Sequence, residues 1–212
     1  TDLTATTGDD KAITVTVTDN IDNAETMTAT LYYSQSGTEA TKSMSVSVGT
    51  GTKAGSYTAT ITPYSYTIAP IEYWVVAKDS ANNTTTSEKK TITVTDNDVP
   101  TPSFTWSPNQ PKQYQTTTFD AGASTDNVTT TDALTYTWDF GGEGTATEKI
   151  ATFAFSKAQN YNITLTVKDT AGNSSSTTKQ ITVTDGEAPA ISGLTDLTAT
   201  TGDDKAITVT VT

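Results

Sequence analysis

Over most of this chain apolar side chains recur at every second position, and no stretch spaces them three and four apart. Ile13, Val15 and Val17 alternate with Thr14, Thr16 and Thr18; Leu134, Tyr136, Trp138 and Phe140 alternate with Thr135, Thr137 and Asp139. Tyr57, Ala59 and Ile61, and later Ile163, Leu165 and Val167, follow the same rule. A period of two gives an extended strand one apolar and one polar face, whereas a helix needs a period of 3.6. Threonine fills about a quarter of the positions, and its β-branched side chain suits an exposed strand face. The expected class is all-β, each strand turning one face to a core and the other to water.

A second feature governs organisation. Thr195 to Thr212, TDLTATTGDDKAITVTVT, repeats Thr1 to Thr18 letter for letter, beginning 194 residues after the first copy. Identity that complete is a duplication without drift, so the chain reads as one period of a tandem array and the start of the next. A period of this length holds two ordinary domains. The expected divisions are a first β-sandwich over 1–97 with its opening strand incomplete, a second over 98–186, and the opening strands of the next repeat over 187–212. Ile207, Val209 and Val211 are then expected to share the environment of Ile13, Val15 and Val17. They would do so either in a continuing chain or by strand donation between copies.

The turn residues divide the first part into about seven strands. Gly8-Asp9-Asp10 and Asp19-Asn20-Ile21-Asp22-Asn23 bound the first alternating run. Met27, Ala29, Leu31 and Tyr33 make another, Met44, Val46 and Val48 a fourth, and Ile71, Tyr73, Val75 and Ala77 a later one with Trp74 on its opposite face. Ile92 and Val94 close the set. Short strands at this spacing describe a β-sandwich of about one hundred residues. The runs Thr30-Leu31-Tyr32-Tyr33, Gly55-Ser56-Tyr57-Thr58-Ala59-Thr60-Ile61 and Ile71-Glu72-Tyr73-Trp74-Val75-Val76-Ala77-Lys78-Asp79 resemble bacterial and archaeal surface Ig-like domains.

Beyond the acidic stretch Asp96-Asn97-Asp98-Val99-Pro100, the second part carries Phe119-Asp120-Ala121-Gly122-Ala123-Ser124-Thr125-Asp126, Tyr136-Thr137-Trp138-Asp139-Phe140-Gly141-Gly142 and Tyr161-Asn162-Ile163-Thr164-Leu165-Thr166-Val167-Lys168-Asp169. Together these resemble the PKD domain, whose fold is again an Ig-like sandwich. Glu143-Gly144 follows an inserted glycine where the family has Asp-Gly, so the turn after the tryptophan strand is expected to differ. Both parts end alike, Asp79-Ser80-Ala81-Asn82-Asn83 matching Asp169-Thr170-Ala171-Gly172-Asn173, and both leave through an acidic linker into proline.

Composition excludes much chemistry. There are no Cys, His or Arg residues, and twelve Lys face twenty-four Asp and Glu, for a net charge of −12. Disulfides, thiol nucleophiles, cysteine zinc sites and the usual imidazole base are absent. The charge repels nucleic acid and anionic membranes, and lysine alone lacks the forked donors that read phosphate. No apolar run approaches the length of a membrane span, so no direct membrane insertion is expected of this segment. Neither catalysis nor a cleft flanked by paired carboxylates is expected.

The linker acids are the candidate metal ligands. Asp96, Asp98, Asp185 and Glu187 set hard oxygens two residues apart where domains meet, and Asp19, Asp22, Asp79, Asp126 and Asp169 lie in turns able to complete a calcium shell. The alternative is a set of solvated turn residues. The PKD resemblance implies calcium at the start of the domain, with Asp98 and Asp126 as the pair, although Asn127-Val128 follows where a second acid often sits. Sequons at Asn82, Asn83, Asn127, Asn162 and Asn173 are candidate glycosylation sites, and Trp74 is a candidate exposed aromatic for a ligand such as a sugar. The expected function is an extracellular, cell-surface structural role: the repeat of a filament, stalk, adhesin or surface layer. Its expected partners are other copies of itself, head to tail or side by side, and surface glycans or other cells. The alternative is an accessory carbohydrate- or protein-binding region of a large secreted hydrolase.

Overall fold

The computed structural model describes residues 3–47 and 51–192, with the backbone of 210–211. Among the described residues every regular element is a strand, as the alternation requires. In the first half these are β1 (Leu3–Thr6), β2 (Lys11–Thr18), β3 (Thr28–Gln35), β4 (Thr38–Ser43), β5 (Ser45–Ser47), β6 (Ala54–Ile61), β7 (Ile71–Lys78), β8 (Thr84–Thr86) and β9 (Lys90–Thr95). One sheet runs β1-β9-β7-β3-β4, with β8 also on β7; the facing sheet runs β2-β6-β5. Leu31, Ile61, Ile71 and Ile92 are fully enclosed between them, with Tyr57 donating its hydroxyl proton to the carbonyl of Ala24 at 2.5 Å. The first strand lies parallel to β9, with Leu3 opposite Ile92.

The strand expected through Met44, Val46 and Val48 is β5 as far as it is described, and a further strand, β4, precedes it in the other sheet. Thr38–Ser43 pairs with β3, and the chain then crosses at the buried Met44 so that β5 pairs with β6. Nearly every side chain of β4 is exposed, so it has no apolar face to announce it. Val48 lies outside the described residues.

The second half contains β10 (Thr105–Ser107), β11 (Thr116–Asp120), β12 (Thr135–Phe140), β13 (Thr145–Ala146), β14 (Ile150–Ala154), β15 (Asn160–Lys168) and β16 (Ser174–Thr182). Its sheets are β10-β11-β14 and β13-β12-β15-β16. The aromatic stripe forms the centre of this core. Trp138 meets Phe104 edge-on at 5.2 Å, Phe140 stacks on Phe153 at 4.5 Å, and Phe155 lies 4.4 Å from Tyr161. Such pairs add to the area each ring buries. Trp138 Nε1 donates to the Glu148 carbonyl at 2.9 Å, so the ring is enclosed without an unpaired donor. After β12 the chain turns through Gly141 and Gly142 at φ of 69° and 81°, a left-handed pair that side chains disfavour.

The two sandwiches correspond strand for strand: β2 with β11, β3 with β12, β6 with β14, and β7 with β15. They differ at their edges: β5 and β8 have no counterpart among the described strands of the second sandwich. In the second, β10 lies on the outer edge of β11; in the first, β2 pairs only with β6 among the described residues. Farther on, β17 (Ile191–Ser192) pairs antiparallel with β18 (Thr210–Val211), Ile191 opposite Val211. Ile207 and Val209 lie outside the described residues, so their expected environment does too.

Trp138→Ala removes the ring at the centre of the second core and is expected to destabilise that sandwich by about 3–5 kcal/mol. Urea unfolding followed by near-ultraviolet circular dichroism measures it.

Candidate metal centre

Three turns converge where the first sandwich hands the chain to the second. Asp96 follows β9, Asp126 lies in the loop between β11 and β12, and Asp169 opens the turn between β15 and β16. Each offers a carboxylate oxygen, and the three oxygens lie within 4.8 Å of one another. Backbone donors fix two of the carboxylates. Asp126 Oδ1 accepts from the N–H groups of Val128 and Thr129 at 3.0 and 2.7 Å. Asp169 Oδ1 accepts from Gly172 and Asn173 at 2.6 and 2.8 Å, and its Oδ2 accepts from Asn173 Nδ2 at 2.9 Å. These are the bonds that make Asp a turn residue, and here they also aim the carboxylates.

Asp96 is held by the linker itself. Its Oδ1 accepts from the Asp98 N–H at 3.1 Å, with the Thr7 hydroxyl 3.4 Å away. The remaining oxygens, Asp96 Oδ2 and Asp126 Oδ2, are buried and have no hydrogen-bond partner. A buried acceptor without a donor is costly, and more so beside two other carboxylates. Burial first, and then repulsion from Asp126, Asp169 and Asp98, push the Asp96 carboxyl above the usual carboxylate range, against the opposing Asp98 N–H. A hard divalent cation that favours oxygen would satisfy both orphaned oxygens and cancel the repulsion. The residues present fit calcium in donor type, and Asp96, Asp126 and Asp169 are the ones that would hold it.

Asp98 sits beside this group. Its Oδ2 accepts from Asn127 Nδ2 at 2.6 Å and faces the Thr7 hydroxyl at 3.1 Å. Asn127 Nδ2 also reaches the carbonyl of Ser65 in the first sandwich, and Asn173 Nδ2 reaches the carbonyl of Asp96 at 3.3 Å. Asp185 and Glu187 lie past β16, exposed, with the Glu187 N–H on Asp185 Oδ1 at 3.0 Å. Asp19 and Asp79 occupy, in the first sandwich, the places of Asp126 and Asp169. Asp19 Oδ1 accepts from Ile21 and Asp22, and Asp79 takes both nitrogens of Asn83. Asp22 accepts from both polar groups of Ser80. The signal that singles out Asp169 is the Asp-x-Ala-x-Asn turn, but Asp79 carries it equally, and only the fold shows which copy meets a linker acid.

The remaining candidates lie elsewhere. Trp74 is half-buried on the outer face of its sheet, stacked on Tyr32 at 5.6 Å with Lys89 Nζ 4.6 Å above the ring. Asn82, Asn83 and Asn162 are exposed.

Comparisons with known proteins place the second sandwich. Residues 97–184 match the family model of the PKD domain. No curated protein matches the chain. Among solved structures, the PKD1 domain of Vibrio anguillarum Epp aligns at 24% identity over 42% of this chain and 98% of that one, with a TM-score of 0.36. A structure of carbohydrate-binding modules from the β-sandwich superfamily aligns at 33% identity and a TM-score of 0.40, over 42% of this chain. The alignment covers 36% of that chain, about a third of its length. The fibronectin(III)-like modules of Clostridium thermocellum CbhA align at 16% identity over 87% and 89% of the two chains, with a TM-score of 0.34. The chain is thus two successive all-β sandwiches, of which residues 97–184 match the PKD model.

Because the folded state holds the Asp96 proton more tightly than the unfolded state, the stability this adds is fully present below the unfolded pKa. It is lost as pH rises through the raised folded value. Metal-free protein is therefore expected to lose stability through this group as pH rises above the ordinary aspartate value of 3.8, and Asp96→Asn to flatten that slope. Urea midpoints measured in chelator across the range test the sign.

Proposed function

We propose that this chain is a non-catalytic structural segment of an extracellular surface protein, one repeat of a filament, stalk, adhesin or surface layer. The observation that carries the reading is the undrifted copy of Thr1–Thr18 at Thr195–Thr212, since extended arrays are built by repeating modules that contact only their neighbours. The junction supports it. Asn127 and Asn173 tie the second sandwich to the first and to its linker, so a short connection between beads is braced on two sides. Calcium at Asp96, Asp126 and Asp169 would stiffen that connection by joining a linker acid to two loops of the following domain. Electron microscopy of the native protein, with and without chelator, tests this. Rods that become flexible on chelation are expected, and separate globular monomers would remove the array reading.

A second reading has one observation in its favour. The Tyr32–Trp74 stack presents an aromatic surface on an outer sheet face, as an accessory module of a secreted hydrolase would need for a glycan. Trp74→Ala is expected to leave the unfolding midpoint nearly unchanged. If this reading holds, it abolishes retention on an insoluble polysaccharide.

For the cation, raising free calcium to about 100 times its dissociation constant is expected to add about 2.7 kcal/mol to the stability of the chain. Asp126→Asn is expected to remove most of that gain while leaving the chelated protein folded, because an asparagine Oδ1 can still accept from Val128 and Thr129. Thermal melts with calcium and with chelator provide the comparison.

A further inference from the structure

The chain holds five sequons, and the fold treats their side chains differently. The motif joins an asparagine amide to a hydroxyl two residues on, so an acceptor in a folded chain must leave both unspent. Four of the five do not. Asn83 Nδ2 donates to Asp79 Oδ2 at 2.7 Å. Asn127 Nδ2 donates to Asp98 Oδ2 at 2.6 Å and to the Ser65 carbonyl, and the Thr129 of its motif is buried, sharing a hydrogen bond with the Thr170 hydroxyl at 3.0 Å. Asn173 Nδ2 is divided between Asp169 Oδ2 and the Asp96 carbonyl, and the Ser175 hydroxyl of its motif is given to the Pro100 carbonyl. Asn162 is exposed but lies inside β15, paired with Gln180 of β16, and its Thr164 hydroxyl shares a hydrogen bond with Thr178 at 2.9 Å.

Asn82 is the exception. It stands exposed in the turn between β7 and β8, and the Thr84 of its motif is exposed as the first residue of β8. Among the described residues neither side chain makes a hydrogen bond. There β8 pairs with β7 alone, and all three of its residues are exposed. The peptide that an enzyme must grip therefore lies at a sheet edge.

The turn itself makes no use of the Asn82 side chain. Its N–H closes the turn on the Asp79 carbonyl at 3.2 Å, and its backbone is left-handed, with φ of 71°. The matching turn of the second sandwich meets the same demand with Gly172, at φ of 103° and with no side chain at all. Space is available as well. Gly172 lies at the end where the two sandwiches meet, yet it stays exposed, and a Cβ added to it meets only Lys168 Cε, at 3.9 Å. A domain docked at this end of a sandwich therefore leaves the position open.

We propose that Asn82 is an attachment site for an N-linked oligosaccharide. In the transfer, Asn82 Nδ2 bonds to the anomeric carbon of a sugar carried on a polyprenyl phosphate or diphosphate. The bond from that carbon to the phosphate oxygen breaks, the lipid phosphate leaves, and the amide releases one proton to a base of the transferring enzyme. This choice rests on the extracellular reading, since such sugars go to exported chains, and deepens it by selecting one acceptor among five.

The purified, folded chain is incubated with an oligosaccharyltransferase and a lipid-linked oligosaccharide, and occupancy at each site is mapped by mass spectrometry. Peptides of the same chain, glycosylated after digestion, serve as the control. Because the other four sites must first break hydrogen bonds, Asn82 is expected to exceed each of them by about tenfold or more in the folded chain, and by far less among the peptides. Thr84→Ala removes the hydroxyl of the Asn82 motif and leaves that of the Asn83 motif, Thr85, in place, so it is expected to abolish modification of this turn. Asn82→Gly is expected to abolish it too, with the urea midpoint unchanged, because the second sandwich makes the same turn with glycine. Occupancy at Asn82 no higher than at the other sites of the folded chain, or modification that survives Thr84→Ala, would overturn the proposal. Native protein is mapped in the same way, with sugar expected at Asn82. A bare Asn82 on protein taken from the cell surface overturns the proposal and leaves the surface reading standing, whereas protein confined to the cytoplasm overturns both.

Discussion

Burying the apolar face of each strand against a facing sheet is the interaction on which the rest of this structure depends. Each sandwich achieves it with a small core, aliphatic in the first and aromatic in the second. Because the longer strands commit one face inward, charged residues are left for outer faces, turns and the exposed edge strands. The ion pairs Lys89–Glu72, Lys90–Glu88 and Lys149–Asp132 are exposed and add little to stability. The acids that matter are those in turns, because the sandwich gathers its loops at its ends and the linker brings one further acid among them.

That gathering explains an otherwise unfavourable arrangement. Three carboxylates within 4.8 Å, two of them with a buried oxygen lacking a donor, would relax outward if the loops were free. Backbone donors from Val128, Thr129, Gly172 and Asn173 prevent this for Asp126 and Asp169, and the short path from β9 to Pro100 prevents it for Asp96. Ser175 Oγ donates to the Pro100 carbonyl, securing that path at its far end. The geometry is set by the backbone of the turns, so the charges are held together before any ligand arrives.

Most strands were legible because their faces differ. Ile13 to Val17, Tyr57 to Ile61 and Leu134 to Phe140 alternate so strongly that both their type and their inward residues follow from the sequence. The strand Thr38–Ser43 was not legible, since a strand polar on both faces carries no period. The change of sheet at Met44 was hidden for a related reason: local alternation does not say which neighbour a strand takes. The candidate metal centre was half legible. Acids in linkers and turns could be named, but Asp79 and Asp169 sit in equivalent turns, and only the path of the chain decides which one receives a linker carboxylate.

The bracing at Asn127 and Asn173 has a consequence for how such a protein is made. Both asparagines lie in sequons, and both spend their Nδ2 atoms on the junction: one on Asp98 and Ser65, the other on Asp169 and Asp96. A sugar attached there replaces one N–H and fills the space between the domains. Asn82 and Asn162 stand in the open, whereas Asn83, also exposed, gives its Nδ2 to Asp79 within its own turn. At Asn127 and Asn173 a glycan and the junction bonds would therefore compete for the same Nδ2 atom.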